Sequence, residues 1–224
     1  MGDYVSRLEA FVQQKKEENT EYRPMLETDD FTLEGKTQFS VLDVWRYAYS
    51  RMDTGTIAEF LVAHALGVEK AENVNYWSAY DMTYRNKRIE VKASSYVHPW
   101  NKTRVSNVRT FSIEPSKNAY WAEKMPFPTD EVPKYSRQSE VYVFCLNADK
   151  NIEAHDPLNL DTWEFYIVPT FKIDEYARKM GNIHQKKISL NVVKKLSGGA
   201  AAYDSLRKMV DQAIQQSDLY YSQY

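Results

Sequence analysis

A chain of 224 residues, 43% of them hydrophobic, suits one large domain or two small ones and is too apolar to be disordered throughout. Its net charge of −2 excludes a uniformly basic nucleic-acid binder. No apolar stretch reaches the length of a membrane span, and the single cysteine, Cys145, excludes an internal disulfide and suits a reducing cytoplasm.

The charge is unevenly placed. Residues 1–84 hold 15 acidic and 8 basic groups, whereas residues 85–117 hold 8 basic groups and only Glu90 and Glu114 against them. A local basic surface of this kind is enough to hold phosphates on an otherwise acidic protein. The plain alternative is a solvated loop that happens to be basic.

In chain order, "MGDYVS" fits the loose myristoylation pattern, which recurs often by chance. "DYVSRLEAFVQQKKEEN" has the apolar spacing of an amphipathic helix, and the polar "TEYRPMLETDD" follows as an arm. "SVLDVWRYAYSRM" predicts a second helix, with Ser40 and Asp43 spaced as a capping box. "TGTIAEFLVAHALG" predicts a third, starting near Asp53 or Thr54 and stopping at Gly67. Strands are predicted over 79–84, 88–95, 108–114, 140–146 and 163–168. The loop "SYVHPWNKTRVSN" and the proline-bearing "KMPFPTDEVPKYSRQ" interrupt them. A short helix "KIDEYARKM", a strand "KKISL", the segment "NVVKKL", a helix over 203–216 and an aromatic tail close the chain. Helices flank a central run of strands without a break, which predicts one α/β domain over 1–224. Within it, residues 1–52 form a helical N-terminal extension, 53–196 the core, and 197–224 a C-terminal helix and tail.

The stretch "YDMTYRNKRIEVK" (80–92) crowds Asp81, Glu90 and Lys92 into one hairpin. A turn centred on Asn86-Lys87 pairs Tyr84 with Ile89 and Asp81 with Lys92. That register puts Asp81, Thr83, Glu90 and Lys92 on one face and Met82, Tyr84, Ile89, Val91 and Ala93 on the other. Two carboxylates on a rigid sheet are a hard-oxygen site for Mg²⁺, to which the Val91 carbonyl adds a ligand. Lys92 beside them is placed to position a water and stabilise its deprotonated form, which is equipment for phosphodiester hydrolysis. The plain alternative is an exposed Asp81–Lys92 salt bridge of little energetic weight. Glu59 in "GTIAEFLVAHALG" has small or apolar residues at helical spacing around it, so it is expected off the freely solvated face and in need of a partner. Capping with Thr56 is the modest alternative.

A helix with Glu59, then Asp81, then "IEVK" resembles the PD-(D/E)XK nuclease superfamily, over roughly residues 55–196. The text from "VYVFCLNADK" to "KKISLNVVKKL" resembles uncharacterised bacterial members. The resemblance implies a restriction-endonuclease-like core: a mixed central β-sheet flanked by helices, with the N-terminal and C-terminal helices as additions for target recognition or dimerisation. It implies Mg²⁺- or Mn²⁺-dependent cleavage of DNA, expected to be double-stranded, by Glu59, Asp81, Glu90 and Lys92. Asp81, Glu90, Val91 and Glu59 are the implied metal ligands. Tyr80 stands where the motif's name has proline, and the gap from Asp81 to Glu90 is short. The rival from another class is an inactive module of this fold that binds nucleic acid or a protein.

The basic segment supplies candidate nucleic-acid contacts in Arg88, Trp100, Lys102, Arg104 and Arg109, with Trp100 set to stack on a base. Other chemistries lack their parts. His64, His98, His155 and His184 have no zinc-like spacing, "SGGAAAY" lacks the lysine of a phosphate loop, and Cys145 sits in mid-strand without a base.

Overall fold

The apolar alternation and turn chemistry of the chain resolve into two compact units, residues 1–52 and 53–224. The computed structural model describes residues 28–40, 42–43, 54–68, 80–98, 104–106, 109–115 and 136–223. The helix expected over 3–19 lies outside the described residues.

In the first unit, residues 30–40, where no strand was expected, form an antiparallel hairpin of β1 (Asp30–Leu33) and β2 (Lys36–Ser40). Its two-residue turn is Glu34-Gly35, both with left-handed φ, the conformation tight hairpins require. The capping box forms as expected: Ser40 Oγ accepts from Asp43 N at 3.2 Å, and Asp43 Oδ2 accepts from Ser40 N at 3.0 Å. Helix begins at residues 42–43, and the rest of that predicted helix lies outside the described residues.

The second unit opens with α1 (Thr54–Leu66). Gly67 ends it at φ +74°, and a Cβ there would meet Arg207 Nη2 at 2.7 Å. The Arg207 guanidinium caps the helix by donating to the Ala65 and Leu66 carbonyls, placing a cation at the negative end of the helix. Next come β3 (Met82–Tyr84), β4 (Lys87–Ser95), β5 (Thr110–Ser112), β6 (Val141–Asn147) and β7 (Trp163–Pro169). The chain continues through α2 (Thr170–Lys179), β8 (Lys187–Ser189), α3 (Leu190–Ser197) and α4 (Leu206–Tyr221). The last helix takes in the first half of the expected aromatic tail, and Tyr220 stacks on Phe171 at 4.2 Å.

The main sheet has the order β3-β4-β6-β7, with β4 and β6 parallel and both outer pairs antiparallel. Strand β6, "VYVFCLN", is buried at every residue, as a continuous apolar run between two covered faces must be. One face buries Ile89, Val91, Val143, Cys145 and Phe165 against α1 and α4. The other buries Tyr142, Phe144, Tyr166 and Val168 under residues of β5, α2, β8 and α3. The fold is α/β, a mixed sheet with helices on both faces, and among the described residues no helix is long and apolar enough to cross a membrane.

Candidate active site

The two-residue turn between β3 and β4 is Arg85-Asn86, with φ of 50° and 60°, not the expected Asn86-Lys87. Asparagine favours this left-handed conformation, and the tight loop imposes it on Arg85 as well. The ladder therefore pairs Met82 with Ile89, Thr83 with Arg88 and Tyr84 with Lys87. Extended by one residue, it sets Asp81 opposite Glu90 rather than Lys92. The slip is two residues, so side-chain parity survives: Glu90 and Lys92 stay on the face opposite Ile89 and Val91.

Asp81 sits just before the start of β3 and continues the ladder in its own way. Its N–H donates to the Ile89 carbonyl at 3.1 Å, and its Oδ2 accepts from Val91 N at 2.6 Å. A carboxylate thus takes the place of a strand carbonyl. The N–H and C=O of one strand residue point to the same edge, so the Val91 carbonyl also faces the Asp81 side. Lys92 Nζ pairs with Glu90 Oε1 on its own strand. The plain alternative, an Asp81–Lys92 bridge, does not form; Lys92 takes Glu90 instead, and the true register puts Glu90 across from Asp81.

Burial raises the Asp81 carboxyl above its ordinary range, against the Val91 hydrogen bond and the Lys92 charge. Burial also raises Glu90, and the Asp81 charge adds to it. For Lys92, burial pulls downward, but Glu90, Asp81 and Glu59 together outweigh it and its pKa rises. The trio is two neighbouring half-buried carboxylates with one ammonium, which pairs with Glu90 and whose charge reaches Asp81.

Glu59 is exposed on α1, contrary to the expectation of a shielded position. The buried stripe of that helix is Ala58, Leu61, Val62 and Leu66, which packs on the Ile89 and Val91 face of the sheet, and Glu59 only borders it. Its field still reaches Lys92. Among the described residues no three His, Cys, Asp or Glu side chains are grouped to hold a metal ion, so Glu59 does not join Asp81 and Glu90 as a third ligand in this arrangement.

Two expected nucleic-acid contacts are engaged by the protein itself, Arg109 buried and Arg88 paired but half exposed. Arg109 is 7% exposed, lies 3.7 Å from the Tyr96 ring centroid, and donates to the Ser106 hydroxyl and carbonyl; it packs the loop. Arg88 forms a forked pair with the Glu140 carboxylate, which also accepts from the Arg88 backbone N–H. Arg104 is exposed as a contact would need. Trp100 and Lys102 lie outside the described residues.

The sequence reading missed the residues that brace the trio. Tyr142 stands opposite Glu90 in the parallel register; burial and the Glu90 charge push its phenol well up. Ser139 is buried and lies within reach of the Glu90 carboxyl. Neither carries a local signal, since their roles come from a strand about fifty residues downstream. Cys145 is fully buried and its thiol is pushed up by burial, which fits a core residue. His155 pairs with Asp149 at 3.1 Å. No family model matches the chain, and no curated protein or solved structure matches it.

Proposed function

We propose that the protein is a divalent-metal-dependent nuclease of the restriction-endonuclease-like kind, hydrolysing phosphodiester bonds of DNA at the Asp81–Glu90–Lys92 site. The observation that carries this reading is the pairing of two half-buried carboxylates, both held above their ordinary pKa, with a lysine that stays charged. Such repulsion is relieved by a divalent cation. Mg²⁺ needs only one or two protein carboxylates beside water and phosphate oxygens, so the donor set of Asp81, Glu90 and the Val91 carbonyl fits it. When bound, such an ion supplies Lewis acidity toward a phosphoryl oxygen and toward water.

The chain's own residues do the rest. Asp81 is fixed by the Val91 N–H, so its second oxygen is the one offered to a cation. Glu90 is held on a central strand beside Lys92, and its carboxylate would be the second protein ligand to such an ion. Lys92, charged at neutral pH, then donates to the attacking oxygen or to the phosphate and stabilises charge that grows only in the transition state. The flanking phosphates would be met by exposed cations such as Arg104.

Filter binding and single-turnover cleavage of one linear duplex at matched salt test the reading. Lys92→Ala is expected to lower cleavage at least about 100-fold while leaving most DNA affinity, because one charge among many phosphate contacts matters little to binding. Equal cleavage by parent and variant would remove Lys92 from the chemistry. No cleavage by the parent with Mg²⁺ or Mn²⁺ would favour a binding module.

A further inference from the structure

The face of β4 that carries Glu90 and Lys92 runs on to Tyr96. Tyr96 extends the strand by one residue, donating its N–H to the Asn147 carbonyl at 3.1 Å, and it packs on the same cluster as Tyr142 and Phe144. By strand parity it points the same way as Glu90 and Lys92. Two cations meet on its ring. The Arg109 guanidinium lies 3.7 Å from the ring centroid, and Lys150 Nζ lies 4.7 Å from it. The ring attracts each cation, but the two repel one another, and Arg109 is buried. Burial pulls the Arg109 pKa down, and its contact with Tyr96 offsets only part of that.

The neighbours add to this positive charge. His98 is half-buried, and burial together with the charges of Arg109 and His155 holds it below its ordinary range. Asp149, next to Lys150 in the chain, is already engaged: it accepts from the Asn151 N–H at 2.8 Å and pairs with His155 at 3.1 Å. Lys150 itself is exposed, and among the described residues it makes no ion pair. Arg104, also exposed, lies on the loop whose Ser106 N–H donates to the Tyr96 carbonyl at 2.9 Å. A buried arginine rimmed by water-facing cations suits an anion. Distance from the carboxylates selects a phosphate of the substrate. From Glu90 to Tyr96 the strand advances about 20 Å, the rise of about six base pairs of DNA. We propose that Lys150 and Arg104, mounted on the Tyr96–Arg109 stack, form a subsite for a backbone phosphate of the same duplex, within about six base pairs of the bond being cleaved. This rests on the nuclease reading above and adds to it Lys150, a cation outside the basic segment 85–117.

The test is filter binding of one linear duplex to the full chain across a range of salt with Mg²⁺ present. The Lys92→Ala protein, expected to bind without cutting, is the reference, and Lys150→Ala, Lys150→Arg and Lys208→Ala are each added to it. Lys208 is an exposed lysine of α4, the helix packed on the other face of the sheet. Each phosphate contact adds about one to the slope of log affinity against log salt. Lys150→Ala is therefore expected to bind severalfold more weakly, with the slope reduced by about one. Lys150→Arg keeps the charge and should keep the reference slope, and Lys208→Ala should match the reference throughout. A reference slope in Lys150→Ala, or an equal loss in Lys208→Ala, overturns the subsite and leaves the cleavage reading standing. Absence of duplex binding by both the reference and the parent overturns both.

Discussion

At the scale of single residues, the account rests on two carboxylates that the fold protonates more readily than the unfolded chain does. A raised folded pKa means that the folded state binds the proton more tightly, so stability is lost as pH rises above the ordinary carboxylate range. Asp81→Asn keeps an oxygen for the Val91 N–H and removes the charge that lifts Glu90. Without divalent metal, this variant is expected to melt higher than the parent at pH 7 to 8, with the gain fading below about pH 4. Thermal denaturation across pH in chelator checks this, and a variant that melts lower throughout contradicts it. Glu140→Ala should cost about 1–3 kcal/mol, because it strands the Arg88 backbone N–H beside a carboxylate-shaped gap; chemical denaturation measures it. The Arg88 guanidinium is itself half in water, so the ion pair alone accounts for little of that.

At the scale of elements, the hairpin shows what a sequence can and cannot specify. Alternation in "RIEVKAS" places Glu90 and Lys92 together whatever the neighbour does, and so that pairing was legible. The register was misjudged by two residues because Asn86 was given the first turn position and Arg85 was left in the strand. A two-residue slip preserves parity, which is why the site survived the error. The Asp81–Val91 contact was not legible, since it depends on β3 starting only at Met82, just after Asp81. Glu59 was misread because Val62 and Leu66 lie at helical spacing from it, yet the stripe centres on Ala58 and Leu61 and leaves Glu59 at its border. Arg109 and Arg88 read as surface cations because Tyr96 and Glu140, their partners, are recognised only once the chain is folded. One extra residue between Met82 and Thr83, inside β3, shifts Asp81 by one place against Glu90 and turns it to the other face. It should abolish cleavage about as fully as losing Asp81, with a smaller effect on DNA binding. A variant that still cleaves at the parental rate would place the chemistry elsewhere.

At the scale of the molecule, both apolar clusters and the whole candidate site belong to residues 53–224. The α/β class and most elements of this unit were legible from apolar periodicity and from stops such as Gly67. The hairpin at 30–40 was not, because its residues alternate without being buried. A protein of residues 53–224 is therefore expected to unfold cooperatively by itself and to keep its metal response, which denaturation with and without Mn²⁺ will show. The central claim is that a divalent ion binds between Asp81 and Glu90. Anomalous diffraction from crystals soaked in Mn²⁺ tests it most directly. The account predicts one strong peak contacted by the carboxylates of Asp81 and Glu90 and by the Val91 carbonyl, with Lys92 released from Glu90. Crystals that show no peak there, with Lys92 still paired to Glu90, would contradict it.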